Sequence, residues 1–216
     1  NNGTCSVATC PIINLTNTKI GRAAVSFNGS QFINITKGVM VNNSAGLTIE
    51  AWVNPKDRPN PVGQQRYIIN DNGFSITQQG ISGIGGGNIL CNIQTKTGGT
   101  HRDTTNTGGG LNLETSQWNH IVCVWDGTDV YMYINGVLST DESNGNQGSG
   151  NVDDNNTIGT TIGYLSDQFF NGTLDEVAVW NVSLSPQIIA QHSGYGIDRS
   201  IYGNNASLIN GTRINF

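Results

Sequence analysis

Groups able to do acid–base chemistry are scarce in this 216-residue chain. Its Glu residues are Glu50, Glu114, Glu142 and Glu176, and its His residues are His101, His120 and His192. A retaining glycosidase needs two carboxylates about 5–5.5 Å apart across the scissile bond. On one strand that demands an acidic i, i+2 run such as Glu-x-Asp-x-x-Glu, and none of the four Glu stands in one. Asp175 and Glu176 are adjacent, so a strand points them to opposite faces. No catalytic residue is assigned, and binding or assembly is favoured over hydrolysis. His120, between Trp118 and Val122, reads as structural; His101 and His192 have no companion motif. His101-Arg102-Asp103 shares only its letters with a kinase catalytic loop. The Gly-rich run 83–87 lacks the Lys-Ser/Thr and helix of a phosphate cradle.

Sugar recognition uses other tools: exposed rings, amides and hydroxyls. Tyr131 and Tyr133 alternate with Val130, Met132 and Ile134, while Trp52 shares a strand face with Glu50 and Trp180 with Glu176. If these faces line a concave sheet, Trp52, Tyr131, Tyr133 and Trp180 form a ligand platform. The competing expectation is that aromatics at strand spacing pack under loops. Asp175 shares a period-two face with Val177 and Val179, so it points inward if that face is the core. A buried carboxylate then needs hydrogen-bond donors or a cation. The acidic stretch Asp141-Glu142 with Asp153-Asp154 lacks the calcium-loop spacing and reads as a solvated loop. Asp126 and Asp129 serve a turn.

The cysteines and asparagines speak to compartment. Four Cys fit an oxidising environment. Cys5 and Cys10 can clasp a small loop, Cys91 and Cys123 can bridge neighbouring strands, and three pairings are formally open. No Cys-x-x-Cys motif suggests zinc. Asn-x-Ser/Thr acceptors stand at Asn2, Asn14, Asn28, Asn34, Asn42, Asn155, Asn171, Asn181, Asn205 and Asn210. That is about twice the chance expectation for this composition. It fits a glycosylated surface protein, or an Asn-rich bias that makes such sites incidentally.

Only 12% of residues are charged, and the net charge is −5. Ordinary soluble proteins carry about 25%. The polar load rests on 29 Asn, 29 Gly and 37 Ser plus Thr. An acidic chain with dispersed cations is a poor nucleic-acid binder. No apolar run approaches the ~18 residues of a membrane span. Asn1-Asn2-Gly3-Thr4 carries no leader pattern.

The elements that must position these residues are short strands. Periodicity is two almost throughout, and Asn-Gly pairs at 28–29, 72–73, 135–136 and 171–172 punctuate the runs. Residues 22–27 and 31–36 flank the first of these as a strand pair. Leu47 to Val53 alternates cleanly, and Trp118 to Trp125 is a strong strand. Ser185-Pro186 opens one short helix through His192, with Ser185 as N-cap. A dozen strands with almost no helix predict an all-β antiparallel sandwich or barrel. One domain over 21–193 is expected, with extensions at 1–20 and 194–216.

Five pieces occur in a telling order: Ser-Phe-Asn-Gly (26–29), Leu-Thr-Ile-Glu-Ala-Trp-Val-Asn-Pro (47–55), Trp-Asn-His-Ile-Val-Cys-Val-Trp-Asp-Gly (118–127), Val-Tyr-Met-Tyr-Ile-Asn-Gly-Val-Leu (130–138) and Gly-Thr-Leu-Asp-Glu-Val-Ala-Val-Trp-Asn-Val-Ser-Leu-Ser (172–185). Across about 20–193 the chain resembles the laminin G-like domains of the concanavalin A-like lectin/glucanase group. The resemblance implies a jelly roll of two curved antiparallel sheets, secreted, binding glycans or proteins and often holding calcium. By that resemblance a structural Ca2+ would use Asp175 with groups around Asn28 and Gly29. The family often carries Asp where Asn28 stands, and Arg where Ala178 stands.

The expected function is therefore non-catalytic recognition of a glycan or glycoprotein, outside the cell or on its surface. The alternative is a structural subunit of a surface assembly such as an appendage, filament or virion. There residues 1–20 or 195–216 would join other copies of the chain by strand addition.

Overall fold

A computed structural model describes residues 4–5, 10–35, 41, 43–59, 64–80, 88–96, 99–104 (backbone alone), 113–139, 150–153 and 160–194. In chain order the strands are β1 (Ile12–Asn14), β2 (Ala24–Asn28), β3 (Ile33–Ile35), β4 (Leu47–Pro55), β5 (Gln65–Asn70), β6 (Phe74–Gln79), β7 (Asn88–Thr95), β8 (Gly99–Thr104), β9 (Asn119–Trp125), β10 (Val130–Ile134), β11 (Val137–Leu138), β12 (Thr160–Ile162) and β13 (Asn171–Trp180); helix α1 (Pro186–His192) follows. They form two antiparallel sheets, a seven-stranded one ordered β1-β2-β13-β4-β9-β10-β11 and a six-stranded one ordered β3-β12-β5-β6-β7-β8. This is the expected antiparallel sandwich.

Period-two patterning builds the core between the sheets. On β4, Leu47, Ile49, Ala51 and Val53 face inward and are fully buried. They meet Ile121, Cys123 and Trp125 of β9, with Ile69, Ile76, Ile89 and Ile93 of the other sheet. Cys91 bonds Cys123, and Cys5 bonds Cys10. The Cys91–Cys123 bridge does not link neighbouring strands: it joins β7 of one sheet to β9 of the other, because both residues point into the core.

Two further departures follow from geometry. Asn28-Gly29 is no hairpin, since β2 and β3 lie in different sheets. With φ of +84° at Gly29 the chain crosses from one sheet to the other there. The N-terminal segment also supplies an element: β1 pairs with β2 at the outer edge of the seven-stranded sheet, and Thr4 bridges to Asn34.

Strand β13 is the fourth departure. Asp175 stands opposite Trp52, yet Ala178 stands opposite Glu50, so two residues oppose one between them. Glu176 sits in this bulge with φ of +47°. The bulge breaks the period-two assignment. Val177 and Val179 pack against the core, while Asp175 shares the outer face with Trp52.

Helix α1 then covers one end of that outer face. Ser185 caps it by accepting from the Ile188 amide at 3.4 Å, and Pro186 opens its first turn. Its buried Ile189 packs on Val122, Val124 and Tyr133. Among the described residues no helix is long and apolar enough to cross a membrane.

Candidate functional site

The outer face of the seven-stranded sheet divides into a covered part and an open part. Under α1, Glu50 is only 5% exposed. Its carboxylate accepts from Trp180 Nε1 at 2.8 Å and lies 3.0 Å from His192 Nδ1 and 3.3 Å from His120 Nε2. Burial pushes its pKa up, but hydrogen bonds from His120 and His192, and their charge, overcome that and hold it at about 2. Trp52 stacks on His120 with ring centroids 4.9 Å apart, and Lys19 Nζ sits 4.1 Å over the Trp52 ring.

The four residues read as a platform share this face, but two of them are buried in it. Trp52 is 4% exposed and Tyr133 8%. Tyr131 and Trp180 are partly exposed: Tyr131 packs against the cluster of Val122, Val124, Tyr133 and Ile189, and Trp180 touches both Glu50 and His192. Helix α1 and the Lys19–Ile20 segment lie where a sugar would stack.

Asp175 holds that segment down. Its Oδ2 accepts from the amides of Lys19 at 2.8 Å and Ile20 at 3.0 Å, and its Oδ1 from Glu176 at 3.0 Å. Asn28 and Gly29 are not beside it. The register sets Asn28 opposite Asn171, about 13 Å along β13 from Asp175 at ~3.3 Å per residue. Asp175 already accepts from three backbone amides and Asn28 is out of its reach, so these three residues do not fit a shared Ca2+. Among the described residues no group of three His, Cys, Asp or Glu is placed to hold a metal.

The carboxylates of the face offer no open pair. Glu50 and Asp175 are both buried and hydrogen-bonded. Exposed Glu176 is pushed upward by partial burial and by the charges of Asp175 and Glu50.

Beyond Trp52, β4 emerges from this cover. Here a cavity of about 460 Å³ opens, lined by Asn17, Ser26, Phe27, Asn28, Asn54, Lys56, Ser116, Asn171, Gly172 and Thr173. Its floor is a row across three paired strands: Ser26 of β2, Thr173 of β13 and Asn54 of β4. Gly172 permits this, because a Cβ there would meet Asn54 O at 2.5 Å and Pro55 Cα at 2.8 Å. Ser26 Oγ and Thr173 Oγ1 share a hydrogen bond of 3.0 Å, and Asn14 Nδ2 donates to Ser26 Oγ at 3.0 Å. Trp118 Nε1 donates to Asn17 Oδ1 at 3.1 Å, fixing one wall. Asn54, Lys56 and Ser116 make no side-chain hydrogen bond among the described residues. They leave an amide, an ammonium and a hydroxyl to meet a ligand rich in hydroxyls.

Sequence reasoning did not find this cavity. Its signal was present as polar residues at period two, Ser26/Asn28, Asn54/Lys56 and Asn171/Thr173. Only the register reveals that the three pairs are neighbours.

Asn28 and Asn171, each in an Asn-x-Ser/Thr pattern, pair across β2 and β13 and both line the cavity. Asn171 Nδ2 donates to Asp57 Oδ2 at 3.1 Å. Asn14 and Asn34 are partly exposed and Asn181 is exposed. Asn2, Asn42, Asn155, Asn205 and Asn210 lie outside the described residues, as do Asp141, Glu142, Asp154 and the Gly-rich run 83–87.

The chain resembles several solved structures. Domain 4 of AbnA, a GH43 extracellular arabinanase from Geobacillus stearothermophilus, in complex with arabinotriose, matches at 21% identity and a TM-score of 0.58, over 84% of this chain and 81% of that one. The binding domain of botulinum neurotoxin serotype G matches at 16% identity and a TM-score of 0.63, over 94% of this chain and 49% of that one. A putative carbohydrate binding protein from Bacteroides ovatus matches at 19% identity and a TM-score of 0.54, over 74% of this chain and 44% of that one. No curated protein matches the sequence. The Laminin_G_3 family model matches residues 27–190. With two antiparallel sheets in the sandwich order and a family match over most of its length, the chain belongs to the concanavalin A-like lectin/glucanases superfamily.

Proposed function

We propose that this chain is a non-catalytic carbohydrate-binding module that works outside the cell, and that the 460 Å³ cavity is its ligand site. The observation that carries the reading is the set Asn54, Lys56 and Ser116, unpartnered beside the Ser26–Thr173 row. An amide, a hydroxyl and one ammonium converging beside a row of hydroxyls can hydrogen-bond the hydroxyls of a polyol and do not suit an apolar ligand. Two of the similar structures are described as an arabinotriose complex and as a putative carbohydrate binding protein, which supports the class without naming the sugar. The two disulfides fit an oxidising compartment. Glycan-array binding that is lost in Asn54→Ala with an unchanged Tm is the expected result. Binding retained in Asn54→Ala and Lys56→Ala overturns the assignment of the site.

A second reading has one observation behind it. Strand β1 is an outer edge strand whose Ile12 and Ile13 are 66% and 69% exposed, followed by Leu15 at 70%. Exposed apolar edges invite another strand, which favours a subunit that assembles with copies of itself. Light scattering on the wild type and Ile13→Lys tests it. Assembly lost only in the variant supports this reading, and a monomer at high concentration removes it.

A further inference from the structure

We infer that Phe32, Tyr164 and Phe169 form a stacking subsite that extends the cavity, so the ligand is a neutral oligosaccharide longer than one sugar unit. The inference rests on the carbohydrate-binding reading above. The three rings form a triangle, with the Phe32 and Phe169 centroids 6.5 Å apart. The Tyr164 centroid is 4.9 Å from Phe32 at an interplanar angle of 30°, and 4.6 Å from Phe169 at 33°. All three residues are partly exposed. None of them belongs to the buried clusters of the sandwich or to the residues packed against those clusters. The rings are therefore gathered at the surface outside the buried core, each with part of its area beside water.

The backbone that presents them is strained. Ser166 and Asp167 both have positive φ, 48° and 65°, in a turn closed by Gln168 N donating to Leu165 O at 2.9 Å. Two successive left-handed residues suit a primed turn; Asp167 takes that region readily, whereas Ser166 does not. Such strain persists where the surroundings over-determine it, and it collects at functional sites. Here the turn returns the chain so that Tyr164 and Phe169 meet. Thr161 Oγ1 donates to Tyr164 O at 2.6 Å and fixes the entry to the turn.

The cluster is close along the chain to residues that line the cavity. Phe169 is two residues from Asn171, a lining residue, so their Cα atoms lie within about 7 Å. Phe170 between them is fully buried, which leaves Phe169 and Asn171 on its outer side. Phe32 hangs from the same crossing loop as Asn28. Asp167 is the one ionisable side chain between Tyr164 and Phe169. Apolar rings with no cation in their turn suit the C–H face of a neutral sugar better than an anion.

The test is a titration with linear arabino-, xylo-, gluco-, galacto- and manno-oligosaccharides of one to six units, by calorimetry. Affinity should rise from the monosaccharide to the trisaccharide. Tyr164→Leu should remove about tenfold of that gain, with the monosaccharide unaffected and Tyr164→Phe restoring the gain. Phe32→Leu gives the same readout should Tyr164→Leu lower the Tm. Affinity independent of length, or full trisaccharide affinity in both ring variants, overturns the inference while Asn54→Ala can still uphold the cavity. Wild-type protein that binds none of the ladders overturns both.

Discussion

His192 Nδ1 lies 3.0 Å from Glu50 Oε2, which ties helix α1 to a strand 142 residues earlier. The same carboxylate receives Trp180 and faces His120. One buried charge thus holds the helix, two central strands and the end of β13 together. Removing a partner from such a group leaves a charge stranded in a dry place, and that costs far more than a surface pair.

This geometry sets a pH dependence. The Glu50 carboxyl is held at about 2 in the folded chain, against an ordinary 4.5. A carboxyl depressed by folding contributes stability that is complete above its unfolded value and is lost as pH falls toward its folded one. The expected loss between about pH 5 and 2 is on the order of 3 kcal/mol. Glu176, pushed upward, acts in the opposite sense and gains as pH falls. It is exposed, so its effect is smaller. Thermal melts should fall steeply across that window in the wild type, and Glu50→Gln should flatten the dependence at a lower Tm. A Tm curve in Glu50→Gln as steep as the wild type's removes Glu50 as the cause.

Asp175 makes a different prediction. Its carboxylate caps the amides of Lys19 and Ile20. Charge-assisted hydrogen bonds of this kind contribute about 1.5–3 kcal/mol. Asp175→Ala should therefore lower stability by that amount and speed hydrogen exchange at the Lys19 and Ile20 amides. The loss should be the same in calcium and in a chelator, because the oxygens serve backbone donors. A wild-type Tm that drops on chelation by as much as the substitution lowers it would restore Asp175 as a metal ligand.

The inter-sheet disulfide gives the third. Cys91 and Cys123 close a loop with a sequence separation of 32. Chain-entropy reasoning assigns a loop of that size about 3–4 kcal/mol. Both cysteines are fully buried in the core, so Cys91→Ala with Cys123→Ala should cost that and a small cavity term besides. Denaturant midpoints of the double variant against the wild type measure it. An unchanged midpoint would mean the unfolded chain gains nothing from losing the link.

Much of the fold was legible because apolar residues at period two admit one sheet geometry. Leu47, Ile49, Ala51 and Val53 could only line a core, and Ser185-Pro186 could only begin a helix. What period two cannot carry is an extra residue. Glu176 in its bulge turned Asp175 to the outer face, and no letter in Asp-Glu-Val-Ala-Val marks that slip. The signal of Asn28-Gly29 was a turn, and a turn it is. Whether a turn closes a hairpin or crosses between sheets depends on partners far away in sequence. The site was hidden for the same reason. Ser26, Asn54 and Thr173 are ordinary polar residues until β2, β13 and β4 are laid side by side. His192 and Glu50 likewise had no motif, since what joins them is a helix folded back over the sheet.

Trp52 and Asn54 separate the covered face from the open one within three residues of a single strand. Trp52 is 4% exposed, stacked on His120 and beneath Lys19. Truncating a buried Trp typically costs about 3–5 kcal/mol, so Trp52→Ala should lower the denaturant midpoint sharply. Asn54 is partly exposed and lines the cavity. Asn54→Ala should change stability by less than about 0.5 kcal/mol and weaken saccharide binding. The two substitutions are thus expected to split stability from binding, with Trp52→Ala keeping its saccharide affinity at temperatures where it stays folded. Chemical denaturation and calorimetry on the same two variants read both quantities. A Trp52→Ala protein that is stable but no longer binds would return the aromatic face to the ligand and displace the cavity.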